Sequence, residues 1–194
     1  MGLLSLDGMD TKRYKFLAIF FAALLLSAAS GPADAQVSRE YEIKAAFLYN
    51  FIKLIEWPPE VLPKSSPTIT MCVLGEDPFG ETMDSIADKS VKGKKLLIRR
   101  VPNAAAAEHC NVLFISSSEQ ERLTAILNAI KRPGVLTVGE TDRFVEQGGI
   151  INLVVDRNKI RFEVNMDGAE QAGLQISSKL LNLARAVKGK TRES

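Results

Sequence analysis

Apolar residues recur at three- and four-residue steps from Ile43 through Phe47 and Phe51 to Leu54, which predicts an amphipathic helix over residues 39–55. Ser38 stands where an N-cap belongs, and Glu40 and Glu42 suit the positive end of the helix. Trp57-Pro58-Pro59 stops the pattern, and Pro63 and Pro67 carry a stiff loop onward.

From there strands and helices alternate. Thr68–Leu74 is β-rich and apolar on both faces, as a central strand must be. Phe79–Ala87, behind Pro78, reads as a short helix, followed by strands at Leu96–Val101 and Asn111–Ser116. Leu123, Ile126, Leu127 and Ile130 share one stripe of a helix over Glu119–Lys131, which Pro133-Gly134 ends before a strand at Val135–Val138. Asp142–Gln147 reads as a helical turn ahead of Gly148-Gly149. The short Asp156-Arg157-Asn158 link between Ile150–Val155 and Lys159–Asn165 predicts an antiparallel hairpin. Residues 167–173 read as helical. A last helix capped by Ser177 or Ser178 would turn Leu180, Leu181, Ala184 and Val187 inward and close at Gly189. The order implies an α/β fold: a three-layer sandwich with a mostly parallel sheet, covered on both faces, and an antiparallel C-terminal hairpin.

The N-terminus changes the picture of where this domain works. Lys12, Arg13 and Lys15 precede the apolar run Phe16–Ala29, and Ala33-Asp34-Ala35 supplies small residues for a cut before Gln36. The run falls short of the about 20 residues that cross a bilayer. We therefore expect residues 1–35 to be a cleavable secretory signal, 36–189 a single domain without membrane insertion, and 190–194 a loose tail. The signal holds as many acids as bases, so the net charge stays at +2, which argues against nucleic acid as a partner. The clusters Lys92-Gly93-Lys94-Lys95 and Arg99-Arg100 read as solvated edge charges.

Cys72 and Cys110 both belong to the exported part, so an oxidising compartment favours a disulfide; two buried free thiols are the alternative. On the chain-entropy picture, such a crosslink stabilises the fold by about 4 kcal/mol. His109 lacks the clustered partners of a zinc site or a nucleophilic triad, so we expect no metal, no cofactor and no catalytic residues. Gly75-Glu76-Asp77-Pro78-Phe79-Gly80 has the glycines of a phosphate loop. It puts acids inside the loop, however, and Glu81-Thr82 where Lys-Ser/Thr is required.

A geometric expectation remains. Ligand crevices of open parallel sheets lie beyond the carboxyl ends of the strands. Those ends here bring Glu76, Asp77, Ser116, Ser117, Glu140 and Asp142, acids and hydroxyls suited to a polar or cationic ligand. Plain capping, by Ser118 and Asp142 in particular, is the competing reading. Asn152 and Asn165, on strands where Asn needs a partner, read as buried polar anchors or as partner-facing groups.

Several segments, in one order over about residues 40–187, resemble the YfiR-like family of exported bacterial regulatory proteins. They are Tyr41–Phe51 (YEIKAAFLYNF) with Trp57-Pro58, Cys72–Gly80 (CVLGEDPFG), Cys110–Ile115, Leu136–Gly139, Gly148–Asn152, Arg161–Asn165 and Ser177–Leu181. The resemblance implies a non-catalytic periplasmic repressor that binds the periplasmic sensor part of an inner-membrane diguanylate cyclase, lowering cyclic di-GMP and limiting biofilm. It further implies a homodimer and a redox influence, with Cys72 and Cys110 at positions where relatives also carry cysteine. A periplasmic small-molecule-sensing domain is the alternative, and a hydrolase built on His109 ranks last.

Overall fold

The computed structural model describes residues 32–130 and 132–189, with side chains from Gln36 onward. The chain divides into two units, Met1–Val37 and Ser38–Ser194. Of the first, only residues 32–37 are described, as the opening of helix α1, Pro32–Leu54. The basic start and apolar run of the expected signal and the tail 190–194 lie outside the described residues.

The helix α1 starts earlier than expected. Pro32 suits a first helical turn, and no glycine or proline interrupts the chain after it, so Ser38 is a helical residue and not an N-cap. Its buried face is also rotated. Ala45, Leu48, Phe51 and Ile52 are buried, whereas Ile43 is exposed and Phe47 and Leu54 are only partly covered. Lys44 falls inside that buried stripe.

Strand β1, Ile55–Glu56, follows at once and pairs with β9, Gln175–Ile176. The main sheet contains β2 (Thr68–Leu74), β3 (Ser90–Val91), β4 (Lys94–Val101), β5 (Val112–Ile115), β6 (Leu136–Gly139), β7 (Ile151–Asp156), β8 (Lys159–Asn165) and β10 (Ala186–Lys188). Its spatial order is β10-β8-β7-β6-β5-β2-β4-β3. Strands β2, β4, β5, β6 and β7 run parallel, while β8 turns back antiparallel to β7. Arg157 and Asn158 both hold positive φ in that hairpin, the backbone a tight two-residue turn requires.

Side chains alternate between two cores, which makes the second unit three-layered. On one face Met71, Val73, Phe114, Val138, Leu153 and Phe162 pack with α1. The edge-on Phe51–Phe162 pair, 5.1 Å between centroids, joins helix to hairpin, and full burial of each such ring is worth about 1.5–3 kcal/mol. On the other face Leu74, Leu113 and Ile115 pack with α2 (Leu123–Ala129) and with Ala107. Cys72 and Cys110 lie in this second core and are bonded, their Cα atoms 5.9 Å apart.

Helices yielded where local turns competed. Phe79–Ala87 keeps only a 3-10 segment, Gly80–Ser85, because Asp77 Oδ1 accepts from Phe79 N and fixes a turn. The span expected as one helix over Glu119–Lys131 is a 3-10 segment, Ser117–Arg122, running into α2. Helix α3 covers Met166–Gln171. The last helix was expected to reach Val187 but stops early: α4 is only Ser178–Leu181, capped by Ser177. Residues 186–188 instead form β10 beside β8, leaving Val187 exposed, because Arg185 N finds the carbonyl of Phe162.

Candidate functional site

The chain passes from β2 to β4 on one side and returns to β5 on the other, so the strand order switches between β2 and β5. That gap is closed. Ser118 Oγ accepts from Glu76 N at 3.0 Å, and a Cβ on Gly75 would fall 2.5 Å from the same oxygen. Glu76 is exposed beside it, and Asp77 is engaged by Phe79 N and by Arg100 at 2.7 Å. Ser116 is buried and its side chain accepts from Ser118 N, so it, and not Ser118, caps the segment that follows.

The open space lies one step along, beyond β6 and β7. A cavity of about 640 Å³ takes in Ser117, Glu140 and Asp142, together with Glu40, Tyr41 and Lys44 of α1. Thus three of the six expected crevice residues converge, and Glu76, Asp77 and Ser116 do not line the cavity. Asp142 is exposed, and among the described residues it makes no capping bond. A second cleft of about 450 Å³ lies by the amino end of β6, bordered by Val135, Thr137 and Ile150, away from these charged groups.

Glu140 is the centre of the converging group. Its side chain is 4% exposed and takes bonds from Lys44 Nζ at 2.7 Å, Ser117 N at 3.3 Å and the Tyr41 hydroxyl at 3.4 Å. Lys44 also meets Glu40 at 2.5 Å, one helical turn back, and lies 4.4 Å from the centre of the Tyr41 ring. Burial alone would lower the Lys44 pKa, but hydrogen bonds to Glu140 and Glu40 outweigh it and hold the pKa above the usual lysine value. Burial, reinforced by the Glu140 charge, pushes the Tyr41 phenol up.

The loop that presents Glu140 is fixed from beneath. Phe144 sits between two glycines: a Cβ at Gly139 or Gly149 would lie 2.2 or 2.0 Å from its ring. Asn165 Nδ2 donates to the carbonyls of Val145 and Gly149, and Asn165 Oδ1 accepts from Gly168 N. Asn165 is therefore buried and saturated. Asn152 is also buried, and its Nδ2 donates to the Thr141 carbonyl at 3.0 Å. Its Oδ1 has no partner among the described residues, and neither does Thr141 Oγ1. Leaving such a group unsatisfied costs about 1–3 kcal/mol. Both residues line the cavity.

Lys44 and Tyr41 were missed as site residues. The available signal was a lysine within the i, i+3, i+4 stripe and four residues after Glu40. The basic run at 92–95 was misjudged too. Lys94 is buried and donates to the carbonyls of Pro63, Lys64 and Ser66, while Lys92 binds the Ile55 carbonyl and Glu56. Its partners come from a loop about thirty residues away, which local reading does not reveal. His109 is exposed. Among the described residues no group of three or more His, Cys, Asp or Glu could hold a metal, and no helix is long and apolar enough to cross a membrane.

A sequence profile described as YfiR/HmsC-like matches residues 41–185, most of the chain and every residue lining this cavity except Glu40. The chain belongs to the YfiR/HmsC-like family. The family is generally regulatory, and periplasmic. Two solved structures are similar in fold. One is a conserved domain protein from Vibrio cholerae O1 biovar El Tor (18% identity, TM-score 0.50, 76% of this chain and 60% of that one). The other is an ABC domain from Streptococcus pneumoniae in complex with L-Trp (14% identity, TM-score 0.50, 72% and 58%). This chain thus spans about 60% of the length of the first structure and slightly less of the second, and the likeness concerns the α/β fold alone.

Proposed function

We propose that this protein is a non-catalytic periplasmic regulator that binds the outer, sensor part of an inner-membrane signalling protein and holds it inactive. The partner of choice is a diguanylate cyclase, so that binding lowers cyclic di-GMP and limits biofilm. Residues 1–35 act as the export signal and are removed, and the remainder works as one domain, alone or as a homodimer. The observation that carries this reading is the family match over 41–185. Among the described residues β10 forms the outer edge of the sheet, with exposed Leu183 and Val187 beside it, and this supports a role in binding protein. Control of this kind requires tighter binding to the inactive than to the active state of the partner.

The test is a gene deletion read by intracellular cyclic di-GMP, paired with crosslinking of the tagged protein in the periplasm. A rise in cyclic di-GMP on deletion, with a membrane-bound cyclase crosslinked through its periplasmic part, is the expected result. Unchanged cyclic di-GMP and no crosslinked membrane protein would remove the proposal. A second reading, a small-molecule-sensing domain, is favoured by one specific observation, the orphan oxygens of Asn152 and Thr141 on the cavity.

A further inference from the structure

We infer that the cavity beyond β6 and β7 binds a small organic cation carrying N–H donors, such as a primary ammonium or diammonium compound. The inference rests on the sensing reading and is independent of any cyclase.

Three observations converge on it. First, carboxylates outnumber cations around the cavity: Glu40, Glu140, Asp142, Glu146 and Glu163 face Lys44, Arg143 and Arg185. Glu40 and Glu140 share the one ammonium of Lys44, and Asp142, Glu146 and Glu163 have no ion-pair partner among the described residues. A concave wall with excess negative charge concentrates small cations.

Second, the orphan on Asn152 is an acceptor. Its amide nitrogen is already committed to the Thr141 carbonyl, so the unused group is the oxygen, which only a donor can satisfy. Thr141 Oγ1, equally buried and unpartnered, can accept from the same ligand. Third, the register places Asn152 directly across from Glu163, so a free carboxylate stands beside the orphan acceptor. An N–H cation satisfies all three, whereas an anion could take the Thr141 hydroxyl proton but would leave the Asn152 oxygen unpaired and face the excess carboxylates.

Putrescine is the probe, titrated calorimetrically into the purified protein at low ionic strength, with thermal melting as a second readout. Saturable binding with a rise in Tm is expected, and none with neutral N,N′-diacetylputrescine. Asp142 and Glu146 are exposed on the rim, so Asp142→Asn and Glu146→Gln should leave the Tm of the free protein unchanged. Each should weaken binding by about tenfold. No saturable binding at millimolar putrescine would overturn the proposal. So would equal binding of the neutral analogue, unchanged affinity in both variants, or glycine binding as tightly as putrescine, which would mark a zwitterion site. None of these outcomes touches the cyclic di-GMP result, so the two readings fail separately.

Discussion

Lys44 and Lys94 are both buried, and the two ends of the molecule that hold them satisfy an ammonium in opposite ways. Around Lys94 three neutral carbonyls, at 2.7, 2.9 and 2.5 Å, take the three protons. Donor capacity is used up and the stiff loop after Pro63 is tied to β4. Around Lys44 two carboxylates compete for one cation, leaving an excess negative charge beside a cavity. The first arrangement is closed and serves the fold. The second is balanced only in part, and a bound cation would complete it. Burial of a charge thus does not identify a functional site; what distinguishes one is how completely its surroundings answer it.

Removing the cation tests this contrast most strongly. Lys44→Met leaves Glu140 buried without its counter-charge and should cost about 3–5 kcal/mol in urea unfolding. A loss below about 1 kcal/mol would mean that the Glu140 region opens to water and the pair is not a structural unit. Lys94→Met strands carbonyls and no charge, so a smaller loss of about 1.5–3 kcal/mol is expected. If its cost exceeded that of Lys44→Met, the contrast would be inverted. Gly149→Ala touches neither lysine but drives a methyl into Phe144; overpacking should cost about 1–3 kcal/mol and shift the loop carrying Glu140. Cation binding should weaken in that variant as well.

The gentlest perturbation is pH. Lys44 and Tyr41 both have raised values in the folded protein, so the folded state holds their protons more tightly than the unfolded chain. Their contribution is complete below the ordinary values of 10.0 and 10.5 and is lost as pH rises through the higher folded ones. Stability should therefore fall in the alkaline range above about pH 10. A Lys44→Met, Tyr41→Phe double variant that kept the same alkaline slope would show that other groups cause it.

The frame was legible because its signals are local. Thr68–Leu74 reads as a central strand from its unbroken β-rich run and is β2 residue for residue. Asp156-Arg157-Asn158 marks a hairpin, and the bonded cysteines agree with an exported chain. The site was legible only in part, because its partners are remote in sequence. Glu140 can be picked out as a strand-end acid, but Lys44 stands 96 residues away. Lys94 looked solvated among its neighbours until the carbonyls of another loop were placed on it. Ala184 and Val187 have helical spacing, yet the sheet edge at β8 claimed residues 186–188, a tertiary contact that outweighed local preference.

The single tryptophan gives this architecture a built-in optical probe. Trp57 donates its indole N–H to the Gly134 carbonyl at 2.9 Å and has Lys92 5.9 Å from its ring. It borders the same small cleft as Lys94 and does not line the cavity beside Glu140. Its emission should therefore shift to the red when the Lys94 end opens and stay steady while the acidic end fills or empties. A fluorescence melt and a ligand titration on one sample would then report two ends of the molecule, separating loss of the scaffold from occupation of the cavity without any label.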